Sequence, residues 1–243
     1  MAGLLILLAM AAGCTGGDDD AASVTPTSST TTTTGATTTT AELTGKPLVV
    51  KEQGLSTFPD VVDPAEDLGG YGVVLENPDP SLMATGVHVV TRILDPDGKE
   101  LLVDSTLLNG ILPGQRMAVG RTLIEPIDNP TSLDVKVEVT AWLPPASPDG
   151  KLVATNVVTE PEEAGGSVTR FTVASSWPER EDGVDVTAVY RADDGRILGA
   201  ESTSLDVPIE GPVEGRIRLL SPIPDLARTE VFVGRGFAAL TTG

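Results

Sequence analysis

The sequence predicts an all-β fold of two tandem sandwich domains, and three observations carry that prediction. Past residue 44, apolar and polar residues alternate, with turn signals recurring about every ten residues. The core can only be built from Val, Leu and Ile, because aromatics make up 3% of the chain, and branched aliphatics favour pleated, half-buried strands. A shift of 97 residues also lays the body on itself, bringing Val87 and Val89 onto Val184 and Val186, Asp97-Gly98 onto Asp194-Gly195, and Gly114 onto Gly211. Nineteen prolines and twenty-six glycines disfavour long helices.

Ahead of the body, residues 1–13 contain the uncharged run Leu4-Leu5-Ile6-Leu7-Leu8-Ala9-Met10. The run is short of the roughly 20 apolar residues a membrane span needs, and suits the apolar part of an export signal. Ala11-Ala12-Gly13 then stand directly before Cys14, the sole cysteine. This arrangement resembles the lipobox of bacterial lipoproteins, which implies cleavage before Cys14 and lipid attachment at its thiol. Two or three acyl chains, as the resemblance implies, would anchor firmly where one chain binds only marginally. The expected location is the extracytoplasmic face of the cell membrane.

Residues 14–44 are dominated by Thr, Ser, Gly, Ala and Asp, with unbroken threonine at Thr30 to Thr34 and Thr37 to Thr40. Such a segment cannot bury enough apolar surface to offset its ordering entropy, so it is read as a disordered linker. Its composition also resembles O-glycosylated stalks. Asp18-Asp19-Asp20 reads as solvated charge, since a loose chain does not fix the six to eight oxygens calcium prefers.

The first domain, 45–143, is predicted to hold strands at Leu48 to Glu52, Tyr71 to Glu76, Gly86 to Leu94, Glu100 to Leu108, Arg116 to Ile124 and Leu133 to Trp142. In the last, Val135, Val137, Val139 and Ala141 fall on one face, and Asp134, Lys136, Glu138 and Thr140 on the other. That is the pattern of a strand with one wet side. Residues 144–150 form a connector whose prolines restrict the backbone. It should hold the domains at a preferred angle, one that could extend them into a rod.

The second domain, 151–243, is predicted to hold strands at Lys151 to Thr159, Ser167 to Ala174, Val184 to Arg191, Arg196 to Leu205, Val213 to Leu220 and Thr229 to Val233. Six or so strands per hundred residues is what an immunoglobulin-like sandwich uses. Each Asp-Gly pair suits a hairpin turn, where glycine adopts positive φ without a side-chain clash. Tyr71-Gly72-Val73-Val74-Leu75-Glu76-Asn77-Pro78, the strand through Val89, Asp97-Gly98 and Leu112-Pro113-Gly114 resemble the FxLYD domain of bacterial and archaeal surface lipoproteins. The resemblance implies that the Asn closes a strand and the Pro-Gly marks a corner. It implies no catalytic residues.

Charge and residue inventory narrow the function further. Sixteen Lys and Arg against thirty-five Asp and Glu give a net charge of −19, which leaves no wide basic footprint for nucleic acid. The single histidine, His88, lies between Val87 and Val89 and should face water. No second histidine and no other thiol are available as its partners. No G-x-S-x-G elbow and no phosphate-binding glycine loop occur, and Gly234-Arg235-Gly236 reads as a chain end. Acidic loops at Asp79, Asp95 with Asp97, Glu181 with Asp182, and Asp193 with Asp194 could each offer two oxygens to a cation, but read more simply as turn chemistry. Trp142 and Trp177 are expected in core or interdomain packing, and with Tyr71 and Tyr190 are too few to line a sugar cleft.

No catalytic, cofactor-binding or metal-ligating residue is therefore assigned, and no cofactor is expected. The functional expectation is a non-catalytic envelope lipoprotein, tethered to the membrane through Cys14 and presenting two domains as a binding or spacer module. An envelope protein is the expected partner, met through exposed strand edges or loops. The alternative is an envelope enzyme, or an accessory subunit of one, using paired carboxylates or bound calcium. A solute-binding role would call for larger α/β lobes and helical periodicity.

Overall fold

The computed structural model describes residues 43–236, apart from 61–66, 124–125, 146–149, 163–165, 221 and 224. Cys14, the apolar run and residues 14–42 of the expected linker lie outside the described residues. Twelve strands occur among those described: β1 (Val49–Pro59), β2 (Asp67–Glu76), β3 (Met83–Leu94), β4 (Glu100–Ile111), β5 (Arg116–Thr122), β6 (Ser132–Leu143), β7 (Leu152–Pro161), β8 (Ser167–Ser175), β9 (Glu181–Arg191), β10 (Ile197–Val207), β11 (Val213–Leu219) and β12 (Arg228–Gly234). The chain is all-β, as its alternation predicts, and each predicted strand overlaps an observed one. The largest difference is β1, which runs seven residues past Glu52. In Gln53-Gly54-Leu55-Ser56-Thr57 the small Gly54 and Ser56 stand on the face that meets Ile197 and Leu198, so apolar alternation does not mark the strand.

Four antiparallel sheets result, in the orders β1-β2-β5, β4-β3-β6, β11-β8-β7 and β10-β9-β12. Adding six to each strand number of the first pair of sheets reproduces the second pair, so the sequence repeat is also a repeat of topology. The repeat extends to backbone conformation. Gly98 and Gly195 have φ of 77° and 86°, Gly114 and Gly211 have 68° and 83°, and Gly86 and Gly183 have 57° and 63°.

Each sandwich encloses its own core. Tyr71, Val73 and Leu75 of β2 meet Val87, Val89 and Ile93 of β3 in the first. Val184, Val186 and Tyr190 of β9 meet Phe171 and Val173 of β8 in the second. Asn77 seals the end of β2: its side-chain amide donates to the carbonyls of Leu82 and Ile111, and its own carbonyl accepts from Gly114 N. The corner at Pro113-Gly114 is thereby stitched to the strand end.

The connector does not extend the domains into a rod. Residues of both sandwiches belong to one compact unit, and the β1-β2-β5 sheet lies against the β10-β9-β12 sheet through a third apolar cluster of Val74, Ala118, Val189, Ile197, Ala200 and Phe232. The sheets thus stack in four layers, with β2 and much of β9 buried on both faces. Gly54, Gly70, Gly72 and Gly120 make this approach possible. A Cβ on Gly70 would sit 2.6 Å from the Leu198 carbonyl oxygen, and one on Gly120 would sit 2.9 Å from Ala200 Cβ. A short stiff connector limits the angle between domains, but burial of two apolar faces decides it.

Candidate functional site

The interdomain joint carries charge as well as apolar surface. Arg191 of β9 is 3% exposed and reaches Glu52 across the joint at 2.6 Å and Glu230 of β12 at 3.0 Å. Arg116 of β5 donates to the same Glu52 at 2.5 Å and lies over the Phe232 ring at 5.5 Å. Burial pushes the Glu52 carboxyl up, but Arg191 and Arg116 outweigh it and hold the group below its ordinary range. Around this ring, Gln115 donates to the Val233 carbonyl at 2.8 Å and Asn109 to Asp185 at 3.0 Å. Burial raises the carboxyls of Asp185 and Glu201. These polar contacts fix the joint's register.

A second buried pair lies in the second sandwich, beside the connector residue Gly150. Arg235 is 2% exposed, bonds Glu181 at 2.7 Å and Glu179 at 3.2 Å, and lies 4.4 Å over the Trp177 ring. Gly234-Arg235-Gly236 is thus a packed lock, and reading it as a plain chain end missed the arginine. Its partner stands 54 residues away, too far for local spacing to reveal. Trp177 and Trp142 both pack as expected, the latter against the first core and Gly45.

The acidic loops are engaged in turn chemistry. Asp79 accepts from the backbone N–H of Ser81, Leu82 and Lys46. These donors pull its carboxyl down to about 2. Asp95 accepts from the backbone N–H of Asp97 and Lys99, Asp194 bonds Arg196, and Asp182 bonds Arg180. Among the described residues, no three His, Cys, Asp or Glu groups gather as a metal site would require. A cleft of about 830 Å³ lies where the sandwiches meet near the connector, walled by Pro80, Pro113, Pro144, Pro145 and Leu152. Among the described residues that line it, Lys151 alone has a titratable side chain.

The surface with most to offer a partner is the outer face of the β4-β3-β6 sheet. Alternation in β3 turns Val87 and Val89 into the core and leaves His88 facing out, its side chain 42% exposed. Cross-strand register sets His88 opposite Leu107 of β4 and Glu138 of β6, and Val90 opposite Ser105 and Lys136. The face is laced by Arg92 to Asp134 at 3.0 Å, Arg92 to Glu100 at 3.3 Å and Lys136 to Glu138 at 2.6 Å. His88 Nε2 lies 2.6 Å from Ser105 Oγ, and His88 Nδ1 lies 4.0 Å from Glu138.

Strand β4 forms one border of this sheet. It exposes Val103 at 47% and Leu107 at 61% on the outer face. Inward, Asp104 accepts from the Tyr71 hydroxyl, faces Arg121 at 3.7 Å and takes the Ser105 backbone N–H at 2.9 Å. Burial, then the Asp104 bond, pushes the Tyr71 hydroxyl well above its ordinary range. An inward-pointing charge at a sheet border is a common guard against uncontrolled edge pairing.

No family model and no curated protein matches the chain. Among solved structures it is similar to two variants of the exo-chitosanase CsxA of Amycolatopsis orientalis, each in complex with PNP-β-D-glucosamine. The matches have 12% identity and TM-scores of 0.24 and 0.20, and cover 75% and 73% of this chain. This chain spans only 25% and 26% of those chains, and at such TM-scores the likeness says nothing about shared chemistry.

Proposed function

We propose that the protein is a lipid-anchored envelope protein, held at the membrane through Cys14, whose paired immunoglobulin-like sandwiches act as a binding module on a Thr-rich stalk. The lipobox-like run before Cys14 and the FxLYD-like residues of the first domain support the anchor and the module. The observation that carries the binding role is the β4 border, a twelve-residue strand with one unpaired side and apolar Val103 and Leu107 beside it. An extended segment adding to such a border gains main-chain hydrogen bonds, while side chains at alternate positions set specificity. With a net charge of −19, the segment best matched is one that alternates apolar and basic residues.

Cross-linking on intact cells tests the role. The native chain should capture a defined envelope protein, and a Val103→Lys, Leu107→Lys variant with unchanged circular dichroism should lose it. Equal capture by both chains would remove β4 from the reading. Metabolic labelling with a lipid probe should mark the native chain and not Cys14→Ser, and an unlabelled native chain would overturn the anchor.

A further inference from the structure

On the outer face of β4, β3 and β6 the hydroxyl of Ser105 lies 2.6 Å from His88 Nε2, and the Glu138 carboxylate stands 4.0 Å from His88 Nδ1, which places a nucleophile, a base and a neighbouring anion together. We propose that Ser105 is a nucleophile activated by His88, with the Glu138 carboxylate stabilising the imidazolium that forms, and reactive toward carboxylic esters with short aliphatic acyl groups. This goes beyond the binding role and rests on the Ser105–His88 contact, Val103 and Leu107 being shared with that role.

Three features set the arrangement apart from a chance surface contact. Ser105 Oγ lies within hydrogen-bond reach of His88 Nε2, at 2.6 Å. The Glu138 carboxyl is held below its ordinary range by the hydrogen bond and charge of Lys136, so it stays anionic beside His88 Nδ1. The backbone at Ser105 is pinned from the inner face by Asp104, itself held by Tyr71 and Arg121. Val103 and Leu107 flank Ser105 two residues away on either side, on the same face, and give an aliphatic acyl chain apolar surface to lie on.

The chemistry closes without a co-reactant beyond water. Ser105 Oγ attacks the ester carbonyl carbon while its proton passes to His88 Nε2. Collapse of the tetrahedral adduct breaks the carbon–oxygen bond to the alcohol, which leaves with that proton, and an acyl-serine remains. Water, deprotonated by the same imidazole, then releases the acid and restores Ser105. The site lies on an open face, so general-base assistance, of order 10²–10⁴, is its main resource, and turnover should be slow.

A fluorophosphonate probe with mass-spectrometric mapping on the full chain tests this. Ser105 should be labelled at least tenfold faster than any other serine, and His88→Ala should lose that advantage with circular dichroism unchanged. The charged groups on this face are Arg92 of β3, Glu100 of β4, and Asp134, Lys136 and Glu138 of β6. Glu138 acts through the imidazole, so Glu138→Gln should lower labelling and Glu138→Asp should restore part of it, a rescue a purely structural role would not give. Absence of a Ser105 adduct, or an adduct indifferent to His88→Ala, would overturn the proposal.

Discussion

Asp79 shows how one carboxylate can be committed entirely to its own loop. The side chain is 6% exposed, and its two oxygens accept from three backbone N–H groups and the Ser81 hydroxyl. Because its carboxyl is depressed from 3.8 to about 2, the ionised form binds the folded loop more tightly than the unfolded chain. That contribution is complete above the ordinary carboxylate pKa and is lost as pH falls from about 4 to about 2. Urea midpoints measured over that range should fall less steeply for Asp79→Asn than for the native chain, and the variant should be the weaker of the two at neutral pH. In sequence, such an aspartate cannot be told from a cation ligand, since both sit in short loops beside Pro and Ser. Only the donors around it decide.

At the scale of elements, strand glycines govern how close two sheets can come. Gly120 has φ of 150° in β5, and a Cβ there would lie 2.9 Å from Ala200 Cβ of the facing sheet, besides 2.3 Å from the Tyr71 carbonyl oxygen of its own sheet. Gly98 has φ of 77° in a hairpin turn with nothing within 4 Å. Gly120→Ala should therefore cost about 2–5 kcal/mol, backbone strain and overpacking together. Gly98→Ala should cost about 1–2 kcal/mol, for the left-handed backbone alone. Denaturant unfolding of the two variants measures the difference, and equal costs would remove close sheet approach as the explanation. The strands were legible because one-sided burial writes a period of two into the chain, as β6 does from Leu133 to Ala141. The joint was legible only in part. Tyr71-Gly72-Val73-Val74-Leu75 breaks the alternation because both faces of β2 are covered, and glycines inside strands mark close backbone approach. Arg191 left no such trace, since its partner Glu52 is 139 residues distant. Nor did the Ser105–His88–Glu138 group: Ser105 is 17 residues from His88, on another strand, so only cross-strand register brings them together.

Across the whole molecule, the shared apolar cluster and the Arg191 ring should make the two sandwiches unfold together. Trp142 reports on the first and Trp177 on the second, so single-tryptophan variants Trp142→Phe and Trp177→Phe separate their signals. Each variant's fluorescence transition should coincide with its own circular dichroism transition. Arg191→Met should shift both by about 2–3 kcal/mol, below the ~3–5 typical of a fully buried pair because Glu52 and Glu230 keep partial exposure. Separate transitions would show that the joint does not couple the domains.

The joint also unites unlike partners: a β1-β2-β5 sheet meets β10-β9-β12, which by strand order is the counterpart of β4-β3-β6. A head-to-tail contact of this kind has no symmetry that closes it, and repeated between molecules it would grow into a fibre. Growth is barred at both termini of the pile. One outermost sheet presents Arg92, Asp134, Lys136 and Glu138, and the other presents Arg170, Arg216 and Glu214 where the buried counterpart has glycine and alanine. Charge at those two ends keeps a self-propagating geometry to a single repeat.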